Sequence, residues 1–130
     1  MSRENVELVR RTYEAYAAGD IAALRAASAP DLVTVRYEPD AATGHGIEGF
    51  LQVAADWTSD FDEFSITADE LIDAGEQVVV RVHQCARGKG SGVMVEADFW
   101  FVHTLGDGKM TRLDMFATQQ EAFKAVGLEE

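Results

Sequence analysis

Arg81 and His83 stand two apart in a valine-rich run, and Asp98 stands two before Trp100 in an aromatic one. Residues two apart on an extended chain share a face, so each pair presents its side chains together. A histidine titrates near neutral pH, and a neighbouring carboxylate orients its ring and raises its basicity, as proton abstraction from a carbon acid requires. A guanidinium such as that of Arg81 stabilises the enolate so formed. His83, Asp98 and Arg81 are therefore the candidate catalytic residues. The same three also fit a structural role, with Arg81 and Asp98 as a buried ion pair between strands and His83 completing the hydrogen bonding.

Other reactive residues carry weaker signals. Cys85 shares the parity of His83 and reads either as a thiolate nucleophile or as a small buried hydrophobe. His45, in Gly44-His45-Gly46, reads as a solvated loop histidine or as a residue closing a pocket mouth. The three histidines at 45, 83 and 103 have no close ligand spacing, so no metal is expected. The segment Gly88-Lys89-Gly90-Ser91-Gly92 lacks the spacing and ensuing helix of a phosphate-binding loop and reads as a hairpin turn. No cofactor is called for.

The elements that must position these residues change period midway. Val6, Val9, Tyr13, Tyr16 and Ala17 recur at three and four, one stripe of a helix that Gly19 ends. Asp20 suits the N-cap of a second, short helix with Ile21 and Leu24, and Pro30 lies just past its end. Leu32 to Tyr37 reads as a strand and Glu38 to Gly46, with Pro39, Gly44 and Gly46, as a loop. Ile47, Phe50, Leu51, Ala54, Trp57 and Phe61 restore helical spacing. Alternation then takes over in Phe64, Ile66 and Ala68, and strands follow over Val78 to Ala86, Val93 to Leu105 and Met110 to Ala117, with glycine-containing turns between them. Thr118 with Glu121 is a capping-box signal for a last helix through Phe123 and Val126, closed by Gly127.

Helices first and hairpins afterwards predict an α+β fold with helices on one face of a curved sheet. Val78 to Val82 and Phe99 to Val102 are apolar on both faces, so both faces need cover. A second subunit is the expected cover for the outer one, with a long loop as the alternative, and a homodimer follows.

The chain has 130 residues, the usual size of one domain, and a single cysteine, which excludes an internal disulfide. Its 23 acidic and 11 basic residues give a net charge of −12, which repels phosphate backbones and anionic headgroups, so neither nucleic acid nor membrane is expected as a partner. The polar start has no apolar segment of the signal-peptide kind, and no stretch approaches the roughly 20 apolar residues of a membrane span. A cytoplasmic protein is expected.

Several phrases in this order resemble the SnoaL-like branch of the nuclear transport factor 2-like superfamily. They are Asn5 to Arg11 with Tyr13, Ala18-Gly19-Asp20, Pro30-Asp31-Leu32, Glu70 to Gly75 before Val78-Val79-Val80, and Gly108-Lys109 before Arg112-Leu113, and together they span nearly the whole chain. The resemblance implies one cone-shaped domain, its curved mixed sheet packed against three N-terminal helices and followed by a short C-terminal helix. It also implies a pocket between sheet and helices, and a homodimer.

By resemblance to the epoxide hydrolase of this superfamily, Arg81 and His83 point into the pocket with Val79 and Cys85. Its further Asp falls on Met115, with Leu113 and Ala117 on the same face, so the paired-carboxylate machinery is incomplete. By resemblance to the steroid isomerase, the Tyr position falls on Thr12, with Tyr13 and Tyr16 on other helix faces, the base position near Arg36 and the donor position near Trp100. None of the three is retained. Asp98 is left as the inward carboxylate, with Arg36 near the cluster, while His103, Phe99, Phe101, Asp114 and Phe116 fall on the outer face and His103 joins the subunit contact. The expected ligand-binding residues are Arg36, Trp57, Trp100, Val79, Leu113, Met115 and Tyr16, with Phe50 and Phe61 as further aromatic walls suited to a flat apolar ligand.

Two functional readings remain open. One is a protein that binds a small apolar molecule and acts as an acid-base isomerase, cyclase or hydrolase on a carbonyl-bearing or polycyclic metabolite. The other is a noncatalytic ligand-binding, dimerisation or accessory protein.

Overall fold

The structure, a computed structural model, describes residues 2–37 and 41–128. Helix α1 (Ser2–Ala18) lays Val9 and Thr12 into the core with Val6, Leu8 and Tyr13 beside them, while Ala17 is exposed. It ends as the sequence predicts. Gly19 adopts φ +69, and the amides of Gly19 and Asp20 donate to the carbonyls of Tyr16 and Ala15, a left-handed closure that glycine makes at little steric cost. Asp20 then caps α2 (Ile21–Ala27), accepting from the Ala23 amide at 3.0 Å.

Strand β1 (Ser28–Arg36) includes Pro30, and β2 (Ala42–His45) pairs antiparallel with it. Part of the stretch expected to be a loop is thus a short edge strand, while Pro39 lies outside the described residues. Helix α3 (Gly46–Thr58) follows, and Phe61, expected at its end, opens β3 (Phe61–Ala74) instead. Strands β4 (Gln77–Gly88), β5 (Met94–Gly106) and β6 (Lys109–Phe116) complete an open six-stranded sheet of order β2-β1-β6-β5-β4-β3. The β1–β6 pair is parallel and the others antiparallel, so the α+β fold carries a mixed sheet. A bulge between Ala68 and Glu70 lets β3 present Asp69 and Glu70 on the same side.

Helices α1 and α3 cover the inner face, α1 over β3 and β4 and α3 over β1 and β2. The outer face is treated differently from expectation. Helix α4 (Gln119–Ala125), capped by Thr118 through the Glu121 amide, folds back and seats Ala122 and Phe123 against Val79, Val102 and Trp100. The chain's own last helix therefore covers the part of the outer face that a second subunit was expected to cover. Among the described residues, no helix is long and apolar enough to cross a membrane.

Candidate functional site

A cavity opens between the inner face and the helices. It leaves about 100 Å³ for the centres of water-sized molecules, several times the roughly 10–15 Å³ that one water requires. Helix α3 supplies Phe50, Val53, Ala54 and Trp57, β5 supplies Phe99 and Phe101, and β6 supplies Leu113 and Met115. These walls are apolar, and the few polar groups among them decide what the cavity can recognise.

One buried polar group is a ring pair. His103, 3% exposed, lies with Nε2 2.7 Å from the hydroxyl of Tyr13, the two rings edge to face. Both line the cavity. Burial pushes the His103 pKa down from 6.5 to about 3 and raises that of Tyr13, so both are neutral at pH 7. Among the described residues, Nδ1 of His103 is buried without a hydrogen-bond partner. An orphaned acceptor is tolerated more readily than an orphaned N–H. That asymmetry favours the tautomer with the proton on Nε2, donated to the Tyr13 oxygen, which leaves the phenolic O–H available to a ligand.

A second polar group lies at Trp57. Its indole N–H donates to Gln84 Oε1 at 2.6 Å, and the Arg36 guanidinium carbon stands 5.3 Å from the ring centroid. Arg36 also donates from Nη1 to the Val53 carbonyl at 3.1 Å, tying β1 to α3. The hydroxyls of Thr12 and Ser28, also in the wall, are spent on the carbonyls of Val9 and Leu24. Among the described residues no carboxylate lines the cavity.

Of the residues expected around the ligand, Arg36, Trp57, Tyr16, Leu113 and Met115 line the cavity, as does Phe50. Val79 and Trp100 do not. Val79 packs under α4, and Trp100 meets Phe123 edge-on with ring centroids 5.8 Å apart. Phe61 stacks on Phe64 at 6.0 Å, outside the lining. The expected catalytic cluster does assemble. His83 Nδ1 lies 2.7 Å from Asp98 Oδ1, and Arg81 Nη1 lies 3.7 Å from Asp98 Oδ2. It assembles on the outer face, however, where the His83 and Asp98 side chains are 33% and 43% exposed.

The inversion has one cause. Gln84 and Val82 line the cavity from β4 and Phe99, Phe101 and His103 from β5, so Arg81, His83, Cys85, Asp98 and Trp100, of opposite parity, face away. His103 is thus a cavity residue and not part of an outer contact. Tyr13 and Tyr16, set on other helix faces by the counting, both line the cavity with Thr12. Phe116 also reaches the cavity, besides stacking on Tyr37 at 4.8 Å. Asp114 does lie opposite Leu113 and Met115, accepting from Tyr37 and Arg112. His45 stands at the end of β2 as the N-cap position of α3.

Comparisons with known proteins place the chain. The SnoaL-like domain model matches residues 9–113. An uncharacterised protein of Mycobacterium tuberculosis is 26% identical over 115 residues, covering 86% of this chain and 87% of its own. Among solved structures, an NTF2-like protein of unknown function from Burkholderia pseudomallei superposes with a TM-score of 0.76 at 23% identity, covering 95% of this chain and 97% of its own. TerC, crystallised with polyporic acid, reaches 0.75 at 22% identity over 95% and 98% of the two chains. With the domain model matching most of its length and the helix-backed mixed sheet in place, the chain belongs to the SnoaL-like domain family.

Proposed function

We propose that the protein binds a small, flat, largely apolar metabolite carrying a carbonyl or enol oxygen, and that Tyr13 donates its O–H to that oxygen with His103 behind it. The neutral Tyr13–His103 pair, in a largely apolar wall whose Trp57, Gln84, Arg36, Thr12 and Ser28 side chains are engaged with protein partners, carries this reading. A hydrogen bond from His103 Nε2 to the phenol oxygen polarises the O–H beyond it, and the dry surroundings strengthen the contact. Such a donor stabilises the negative charge that an isomerase or cyclase develops on a substrate oxygen. TerC was crystallised with polyporic acid in a similar fold, which makes that compound a reasonable first probe.

A second reading, ligand binding without turnover, is favoured by the base available in the cavity. Its only histidine has a pKa of about 3, and no carboxylate lines the wall among the described residues. A base that weak takes a carbon-bound proton poorly at neutral pH. Calorimetric titration of polyporic acid and a panel of aromatic ketones into wild type and Tyr13→Phe tests the binding. A buried hydrogen bond worth about 1–2 kcal/mol predicts roughly 5- to 30-fold weaker binding by the variant. Equal affinity, or no binding by any compound, overturns the assignment. Product formation with a bound ketone would then separate the catalytic reading from the binding one.

We also infer a homodimer. The exposed Val93, Met94 and Val95, 58%, 49% and 43% accessible, support an apolar contact at the start of β5. Sedimentation velocity across a hundredfold concentration range should show a dimer, and a monomer mass throughout would sink the inference.

A further inference from the structure

The outer-face cluster has a chemistry of its own. His83 is held between two carboxylates, with Nδ1 2.7 Å from Asp98 Oδ1 and Nε2 2.9 Å from Glu96 Oε1. A neutral imidazole has one N–H and can donate to only one of them. The other ring nitrogen then turns its lone pair toward a carboxylate oxygen, an arrangement that needs a cation, either a second proton or a metal ion. The β3 bulge brings a third group to the spot. One ligand atom from each of Asp69, His83 and Asp98 lies within 4.8 Å of the others. In the tetrahedral geometry zinc prefers, two ligand atoms at about 2.0–2.2 Å from the ion stand about 3.3–3.6 Å apart. Rotation of the two exposed aspartate side chains has up to about 1.5 Å to close.

We propose that Asp69, His83 and Asp98 form a binding site for a divalent transition-metal ion of the zinc class, with Glu96 as the residue that positions the His83 ring. His83 ligates through Nδ1 beside Asp98 and donates Nε2–H to Glu96, the carboxylate–histidine–metal arrangement that fixes both tautomer and ring orientation. The imidazole selects against magnesium and calcium, which prefer oxygen ligands alone. The charge balance is favourable. Asp69, Glu70, Glu96 and Asp98 surround the spot, against the cation of Arg81, which stands 3.9 Å from Glu70 and 3.7 Å from Asp98 through the oxygen that does not face His83. The three ligands come from three adjacent strands, so the sheet sets their spacing without help from a loop. The histidine spacing read from the sequence does not address a set of one histidine and two aspartates.

The test is calorimetric titration of the chelator-stripped full chain with Zn²⁺, with NMR of the histidine rings alongside. One ion should bind per chain, and the His83 ring signals should move while those of His45 and His103 stay. His83→Gln, Asp98→Asn and Asp69→Asn, each checked by circular dichroism for an unchanged fold, should lose at least about tenfold in affinity, and Glu96→Ala about 10- to 100-fold. Arg81→Gln should tighten binding by removing the competing cation, an effect that a purely structural ion-pair network does not produce. Mg²⁺ should not compete. Absence of saturable Zn²⁺ binding, or binding that survives His83→Gln undiminished, overturns the proposal.

Discussion

Lowering the pH below 6.5 is expected to destabilise the protein steeply through His103 alone. In the unfolded chain this imidazole takes a proton near its ordinary value of 6.5, whereas burial holds it neutral in the fold down to about 3. The depressed pKa means that the unfolded state binds the extra proton. Stability is therefore complete above pH 6.5 and is lost as the pH falls from there toward 3. Each tenfold difference in proton affinity is worth about 1.4 kcal/mol, so the loss approaches roughly 2 kcal/mol by pH 5 and about 4 kcal/mol by pH 3. A small domain commonly has only about 5–15 kcal/mol in total. Urea denaturation at pH 7, 6 and 5 measures this in wild type and in Tyr13→Phe/His103→Leu. The double variant removes both partners of the hydrogen bond, so it leaves no new orphan. It should lose the fall on the acid side and keep only the opposite trend from His83, whose pKa Asp98 and Glu96 hold up, so that stability no longer drops from pH 7 to 5. A wild-type slope retained by the double variant would show that another group is responsible.

This histidine was also the hardest residue to place from sequence. The helices, the caps at Asp20 and Thr118 and the hairpin strands follow from local patterns, because capping and turn chemistry act over a few residues. The face of a strand is another matter, since a one-residue change of parity moves every side chain to the other side. Val78 to Val82 are apolar at almost every position and give no alternation to read. Carrying over an Arg-x-acid pattern from a relative set Arg81 and His83 inward. Charge alternation gives the opposite and correct answer: Arg81, His83 and Arg87 share one parity on β4, Glu96 and Asp98 pair across from His83 and Cys85, and the aromatics Phe99 and Phe101 take the other face. On β6, where Arg112 and Asp114 alternate with Leu113 and Met115, the pattern was unambiguous and the inward residues were legible. The seat of α4 was not, because its apolar positions fit either face of the sheet and only the folded chain shows which one it covers.

The least legible contact is that between Gly44 and Gly49, and it predicts the largest mechanical effect of a single methyl group. Gly44 reads as loop punctuation, and Gly49 falls between the apolar positions Ile47 and Phe50 with no side chain to signal a contact. In the fold β2 and the first turn of α3 approach so closely that a Cβ on Gly49 would lie 2.6 Å from the Gly44 carbonyl carbon, and one on Gly44 would meet the Gly49 carbonyl oxygen. Carbon atoms in contact normally stand about 3.5–4.0 Å apart. Both obstacles are backbone, so no side chain can swing aside. Gly49→Ala should therefore cost about 3 kcal/mol or more, despite alanine's better helix propensity, because α3 must lift from β2. That movement reaches the cavity, since the same helix carries Phe50, Val53 and Trp57 and is tied to β1 through Arg36. Ligand affinity should fall together with stability, and the Trp57 fluorescence should shift to the red as the Gln84 contact opens. Gly106→Ala is the control: its added Cβ would meet only the Thr111 methyl at 3.5 Å, an ordinary contact, and should change stability by less than about 1 kcal/mol. If chemical denaturation finds the two variants alike, the close approach of α3 to β2 does not hold the cavity wall in place.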